Sequence, residues 1–175
     1  MENLKTSSRI ILFFTILSGA LWMGSYFTRL MTSYQIFEGT NFTLRNYLNN
    51  ENLSAVLKSF EPAILSTFIL YIIFIIFFIL FISTSKIKLK NNGWLFIIIV
   101  LVVITLPLEI YLMTIDYRLI TALNTSGFNQ KEVLDLIISR FKIFSSFPVI
   151  EMLCYFSVIY FFIFQPLTKK DVDKI

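Results

Sequence analysis

The 175-residue sequence contains no histidine. This excludes His-ligated haem, the common zinc sites and any mechanism that uses imidazole as acid or base. It contains one cysteine, Cys154, set in an apolar run. A single thiol can close neither an intrachain disulfide nor a C-x-x-C redox pair, so Cys154 reads as a small buried hydrophobe. Charge is also scarce: 15% of residues, against about 25% in a typical soluble domain. The net charge of +4 is thinly spread, and no basic cluster is interleaved with aromatics. Nucleic acid is therefore not an expected partner. No metal site and no cofactor is expected.

Hydrophobic residues make up 57% of the chain, and the mean hydropathy is +0.77. A helix needs about 20 mostly apolar residues to cross a bilayer core. Four runs qualify, at about 10–31, 63–83, 94–115 and 147–164. Lipid offers no partners to backbone polar groups, and none of these runs alternates with period two, so each should be a helix. The expected fold is all-α: one integral membrane domain over 1–175, an antiparallel four-helix bundle.

Two long connections join spans one to two and three to four. In the second, Asn129 is followed three positions later by Glu132, the spacing of a capping box. Val133, Ile137, Phe141 and Phe144 then recur at helical spacing, which predicts an extra amphipathic helix. Val56, Leu57 and Phe60 carry a shorter version of the pattern. Basic residues predict orientation. Lys5, Arg9, Lys86, Lys88, Lys90, Lys169, Lys170 and Lys174 lie on one side in short segments. That side should be cytoplasmic, with both termini inside and the long connections outside.

Every predicted span brings an ionisable group to the same leaflet: Arg29, Glu61, Glu109 and Glu151, with Asp116 and Arg118 ending the third. Charges within spans are costly and mark functional candidates by default. Glu109 and Asp116 share a helix face, and Thr105 lies one turn from Glu109. Pro107 removes a backbone donor and should kink the helix there. These residues predict an outward-open polar pocket floored by Glu109, with Arg29 or Arg140 as counter-ion. It would take a cation, a protonated amine or a small amphiphilic ligand; the alternative is a purely structural ion network. Glu61 and Asp116 are read as interface residues near water. Ala20, Gly24 and Thr28 form a small-residue stripe for close helix packing, within the bundle or against other membrane subunits.

The stretch Thr105-Leu106-Pro107-Leu108-Glu109-Ile110-Tyr111-Leu112 resembles the third span of the anthrone-oxygenase-like four-helix membrane family. That span carries a Thr, then Pro-x-Asn, then Leu; here Glu109 stands in the place of the Asn. Arg140-Phe141-Lys142 lies where the family carries a Trp, an Asn and an Arg, of which only the Arg is matched. The resemblance implies the four-helix architecture. It also raises an alternative activity, an oxygenase-like membrane enzyme acting on a lipophilic substrate. The residues themselves favour a non-enzymatic integral membrane protein in contact with membrane lipids: a scaffold, an accessory subunit or a binder of a small amphiphile. An ion or proton carrier using Glu109 is the remaining alternative.

Overall fold

A computed structural model describes residues 5–39, 41–144 and 147–169, without the side chains of Phe144 and Phe147. Lys170 and Lys174 lie outside the described residues. Helix α1 spans Thr6–Tyr34, and a two-residue hairpin follows, β1 (Phe37–Glu38) and β2 (Thr43–Leu44). Helices α2 (Leu53–Ser59), α3 (Glu61–Ser85), α4 (Gly93–Asn124), α5 (Gln130–Phe144) and α6 (Phe147–Phe164) complete the chain.

Three helical segments are long and apolar enough to cross a membrane: α1, Leu53–Ser85 and α4. A fourth is added if α5 and α6, bent by 62° at their junction, count as one broken span. The four expected runs all fall within α1, α3, α4 and α6, and the extra helix is α5. The expected boundaries are short for α4. Its 32 residues make a rod of about 48 Å, which outreaches a hydrocarbon core of about 30 Å. Its last turns carry Leu119 and Leu123 into a second apolar core. The helix runs unbroken through Pro107.

Two apolar cores follow from this excess length. The larger lies within the bundle and is rich in aromatics: Trp22, Tyr71, Phe74, Phe78, Phe81 and Trp94 are all buried. The smaller is a cap over one end. There Ile36, Phe37, Leu57 and Phe60 of the first connection pack against Leu119 and Leu123 of α4 and Val133 and Ile137 of α5. Side chains tie the cap together. Lys58 Nζ donates to the Leu123 carbonyl at 2.8 Å, where a helix C-terminus favours a cation. Gln130 Nε2 donates to Ser54 Oγ at 2.6 Å. Asn129 Oδ1 accepts from the Lys131 backbone N–H at 3.0 Å, capping α5.

At the other end, Lys86 terminates α3 in the left-handed region. A short 3-10 turn, Leu89–Asn91, leads into α4. The C-terminal segment closes over this loop: Gly93 N donates to the Leu167 carbonyl at 3.2 Å, and Lys169 N to that of Asn91 at 2.9 Å.

The small-residue stripe does not pack inside this bundle. Ala20, Gly24 and Thr28 are exposed, and a Cβ on Gly24 would meet nothing within 4 Å. The face of α1 turned inward carries Ser18, Trp22, Tyr26, Arg29 and Ser33 instead. Burying Trp22 and Tyr26 rotates the small residues outward. The close approach is made by Gly19, whose added Cβ would sit 3.1 Å from the Phe74 ring. Cys154 is only half-buried.

Candidate ligand site: a buried acid–arginine cluster

The site forms where the bundle meets the cap. Arg29, on the inward face of α1, reaches Asp116 of α4. Its Nη1 and Nη2 donate to Asp116 Oδ2 and Oδ1 at 2.7 and 2.5 Å, the paired geometry that guanidinium and carboxylate share. Arg140 of α5 comes from the other side, with Nη1 3.4 Å from Asp116 Oδ2. Asp116 thus serves two arginines. Its expected place as an interface residue near water is overturned: it is 2% exposed. The reason is the cap. Helix α4 runs two more turns past Asp116, and α5 folds back over that extension. Glu61 remains half-exposed, paired with Lys58 at 2.6 Å, and Arg118 is exposed.

Glu109 lies two turns from Asp116 along α4, and Glu151 one turn into α6. They are 2% and 1% exposed. Glu151 faces Glu109 and the Tyr26 hydroxyl, with Arg140 the nearest cation. Neither oxygen of Glu151 has an aligned hydrogen bond, nor does Oε1 of Glu109. Arg29, expected as a counter-ion for Glu109, is instead committed to Asp116. The described residues of the cluster thus hold three carboxyls against two guanidiniums, and the unmatched acid belongs to the Glu109–Glu151 pair.

Aromatic hydroxyls line the bundle side of the pair. Thr105 Oγ1 and Tyr155 Oη are 3.1 Å apart and share a hydrogen bond. Thr105 Oγ1 also reaches the Leu101 carbonyl at 3.1 Å. Tyr71 Oη and Trp22 Nε1 are buried without a partner. The Trp22 ring packs on Tyr155 with centroids 4.7 Å apart, and on Tyr71 at 5.0 Å. Trp22, Tyr26, Tyr71 and Tyr155 resemble bundle packing or belt residues in the sequence. Tyr26 is the one with a legible signal, since it lies one turn from Arg29 on the same face.

Glu109 does not floor an open pocket as expected: the cavity at this end, about 40 Å³, is bordered by Tyr26, Arg29, Ser33, Leu112, Arg140 and Pro148, with α5 and Phe60 on its rim and neither Glu109 nor Glu151 in its lining. That is room for about one water molecule or a group of its size. A second cavity, of about 240 Å³, lies between α1 and α6. No group of three or more Asp, Glu or Cys among the described residues is arranged to hold a metal ion. No family model, curated protein or solved structure matches the chain.

Proposed function

We propose that the chain is a non-enzymatic, multi-pass membrane protein that binds a small cationic amphiphile, with the ligand's ammonium group on the Glu109–Glu151 pair. In this reading the cap faces outside and both termini lie in the cytoplasm. Lys5, Arg9, Lys86, Lys88 and Lys90 cluster around the uncapped end, and basic residues favour the cytoplasmic side.

One observation carries the reading. Three carboxyl oxygens of Glu109 and Glu151 are buried without an aligned hydrogen bond, as is Arg140 Nη1, inside a cluster that has one acid in excess. Isolated buried charge is strongly unfavourable unless something supplies hydrogen bonds and opposite charge. An ammonium group supplies three N–H donors and one positive charge. An anionic ligand would find Arg29 hydrogen-bonded to Asp116 and Arg140 within 3.4 Å of it.

The test uses the full chain in phosphatidylcholine nanodiscs, titrated with butylamine. The sequence has two tryptophans, so a Trp94→Phe background leaves Trp22, beside the site, as sole emitter. Saturable change in its emission is expected with butylamine and none with butanol. Glu151→Gln should raise the half-saturating concentration about tenfold, a loss of about 1.4 kcal/mol. Unchanged binding in that variant, or no binding to the parent protein, refutes the reading.

A further inference from the structure

Charge divides the molecule along its length. Every acid among the described residues lies towards the capped end, in the buried cluster or in the cap above it. The described residues of the uncapped end carry only cations: Lys5 and Arg9 at the start of α1, Lys86, Lys88 and Lys90 between α3 and α4, and Lys169 after α6, all exposed. Glu2, Asp171 and Asp173 lie outside the described residues. The fold gathers these cations from three distant parts of the chain. Ser8 Oγ donates to the Thr84 carbonyl at 3.1 Å, which sets the start of α1 against the end of α3. An antiparallel bridge between Asn92 and Thr168 holds the segment after α6 across the α3–α4 loop. The bond from Lys169 N to the Asn91 carbonyl then places Lys169 beside the residue that follows Lys90. Lys86, Lys88, Lys90 and Lys169 have no ion-pair partner among the described residues.

What surrounds the cations narrows the partner. The loop alternates basic and apolar residues, Lys86, Ile87, Lys88, Leu89 and Lys90, and Leu167 stands two positions before Lys169. Leu89 and Leu167 are 40% and 67% exposed. Gly93 lets Leu167 approach the loop, since an added Cβ there would stand 3.0 Å from Leu167 Cβ. Towards the same end of α6, the exposed rings of Tyr160 and Phe164 pack with centroids 4.8 Å apart. A nucleic acid or an acidic protein segment would answer the lysines and leave those leucines in water. A bilayer interface takes both: phosphates meet the ammonium groups, and apolar side chains reach the acyl boundary. Tyrosine is enriched at that depth.

We propose that the uncapped end is a binding surface for anionic phospholipid, whose phosphate is held by Lys88 and Lys90 of the α3–α4 loop and Lys169 of the segment that crosses it. Leu89 and Leu167 lie against the upper acyl carbons of the same lipid layer. This rests on the membrane-crossing part of the reading above and not on the ammonium site. The same contact fastens the C-terminal segment. Lys90 and Lys169 repel each other across the Asn92–Thr168 bridge until an anion lies between them. Bound lipid therefore slows the opening of the bond between Lys169 and Asn91.

The experiment titrates the full chain, in a non-ionic detergent, with phosphatidylglycerol or phosphatidylcholine and counts retained lipid by native mass spectrometry. Phosphatidylglycerol should be retained at the lower concentration. Lys88→Gln should raise its half-saturating concentration about fivefold, the worth of one basic residue near an anionic surface. Lys88→Gln/Lys90→Gln/Lys169→Gln should raise it about a hundredfold, with retention of phosphatidylcholine unchanged. Lys131→Gln/Lys142→Gln, the same kind of change at the capped end, should leave both lipids unaffected. Hydrogen exchange at the residue 169 amide should slow with phosphatidylglycerol in the parent and not in the triple variant. Unaltered melting temperature without lipid shows that a variant is folded; should the triple variant fail to fold, Lys88→Gln serves alone. Equal retention of the two lipids by the parent, or an equal loss in the capped-end variant, overturns the surface. So does tighter binding of a single-stranded oligonucleotide than of phosphatidylglycerol. Butylamine binding in nanodiscs does not involve these lysines, so the lipid surface and the ammonium site stand or fall separately. A chain that does not enter nanodiscs overturns the membrane crossing on which both depend.

Discussion

Replacing Asp116 by Asn removes one charge and leaves the shape nearly unchanged. Both arginines that face it lose their counter-ion, and Arg29 has no other anion within ion-pair distance among the described residues. The gross attraction between Asp116 and Arg140 at 3.4 Å is about 5 kcal/mol at an effective dielectric of about 20. Desolvation of the charges offsets much of that, and breaking a buried ion pair from one side costs about 3–5 kcal/mol net. Asp116→Asn should therefore lose about that much unfolding free energy. Arg29→Met should lose less, because Asp116 keeps Arg140. Glu151→Gln should lose nothing or gain slightly, because it removes the unmatched acid. The assay is equilibrium unfolding in mixed detergent micelles, followed by tryptophan emission, with the Arg29→Met/Asp116→Asn double variant closing a cycle. A coupling energy of about 1–3 kcal/mol is expected for directly bonded partners. Equal losses in Asp116→Asn and Glu151→Gln would refute the charge count on which the site depends.

Other consequences are separable from that one. Gly19→Ala should destabilise by about 1 kcal/mol, because the new methyl crowds a Phe74 ring held on both sides by Trp22 and Tyr155. Gly24→Ala, with nothing near, should be neutral or stabilising by up to about 1 kcal/mol; melting temperatures in detergent compare the two. Thr105→Val should cost about 1–2 kcal/mol by stranding the Tyr155 hydroxyl, and adding Tyr155→Phe should recover part of the loss. Orientation is tested in a Cys154→Ser background with a membrane-impermeant maleimide on intact cells. A cysteine at Lys131 should label and one at Lys88 should not; the reverse pattern inverts the proposed topology.

Much of the architecture is written in one dimension. Uninterrupted apolar length fixed where the long helices run, since a backbone in lipid has no other way to satisfy itself. The stripe of Val133, Ile137 and Phe141, behind the Asn129 cap, sufficed for α5. The gathering of charges at one end was also legible, because depth along a helix is residue count multiplied by rise. Rotation about the helix axis was not. Three small residues at one spacing and a Trp–Tyr–Arg stripe at another both lie on α1, and sequence alone does not say which turns inward. Packing decided it: the buried aromatics and the Arg29–Asp116 bond claim the interior, and Ala20, Gly24 and Thr28 face away. Nor did composition reveal that α4 runs on into the cap and is roofed there by α5. That fold-back buried Asp116, drew Arg140 down beside it, and left Glu109 and Glu151 with Arg140 as the nearest cation, shared with Asp116. Pairing among buried charges depends on which helices meet and at what angle, and only the assembled structure holds that information.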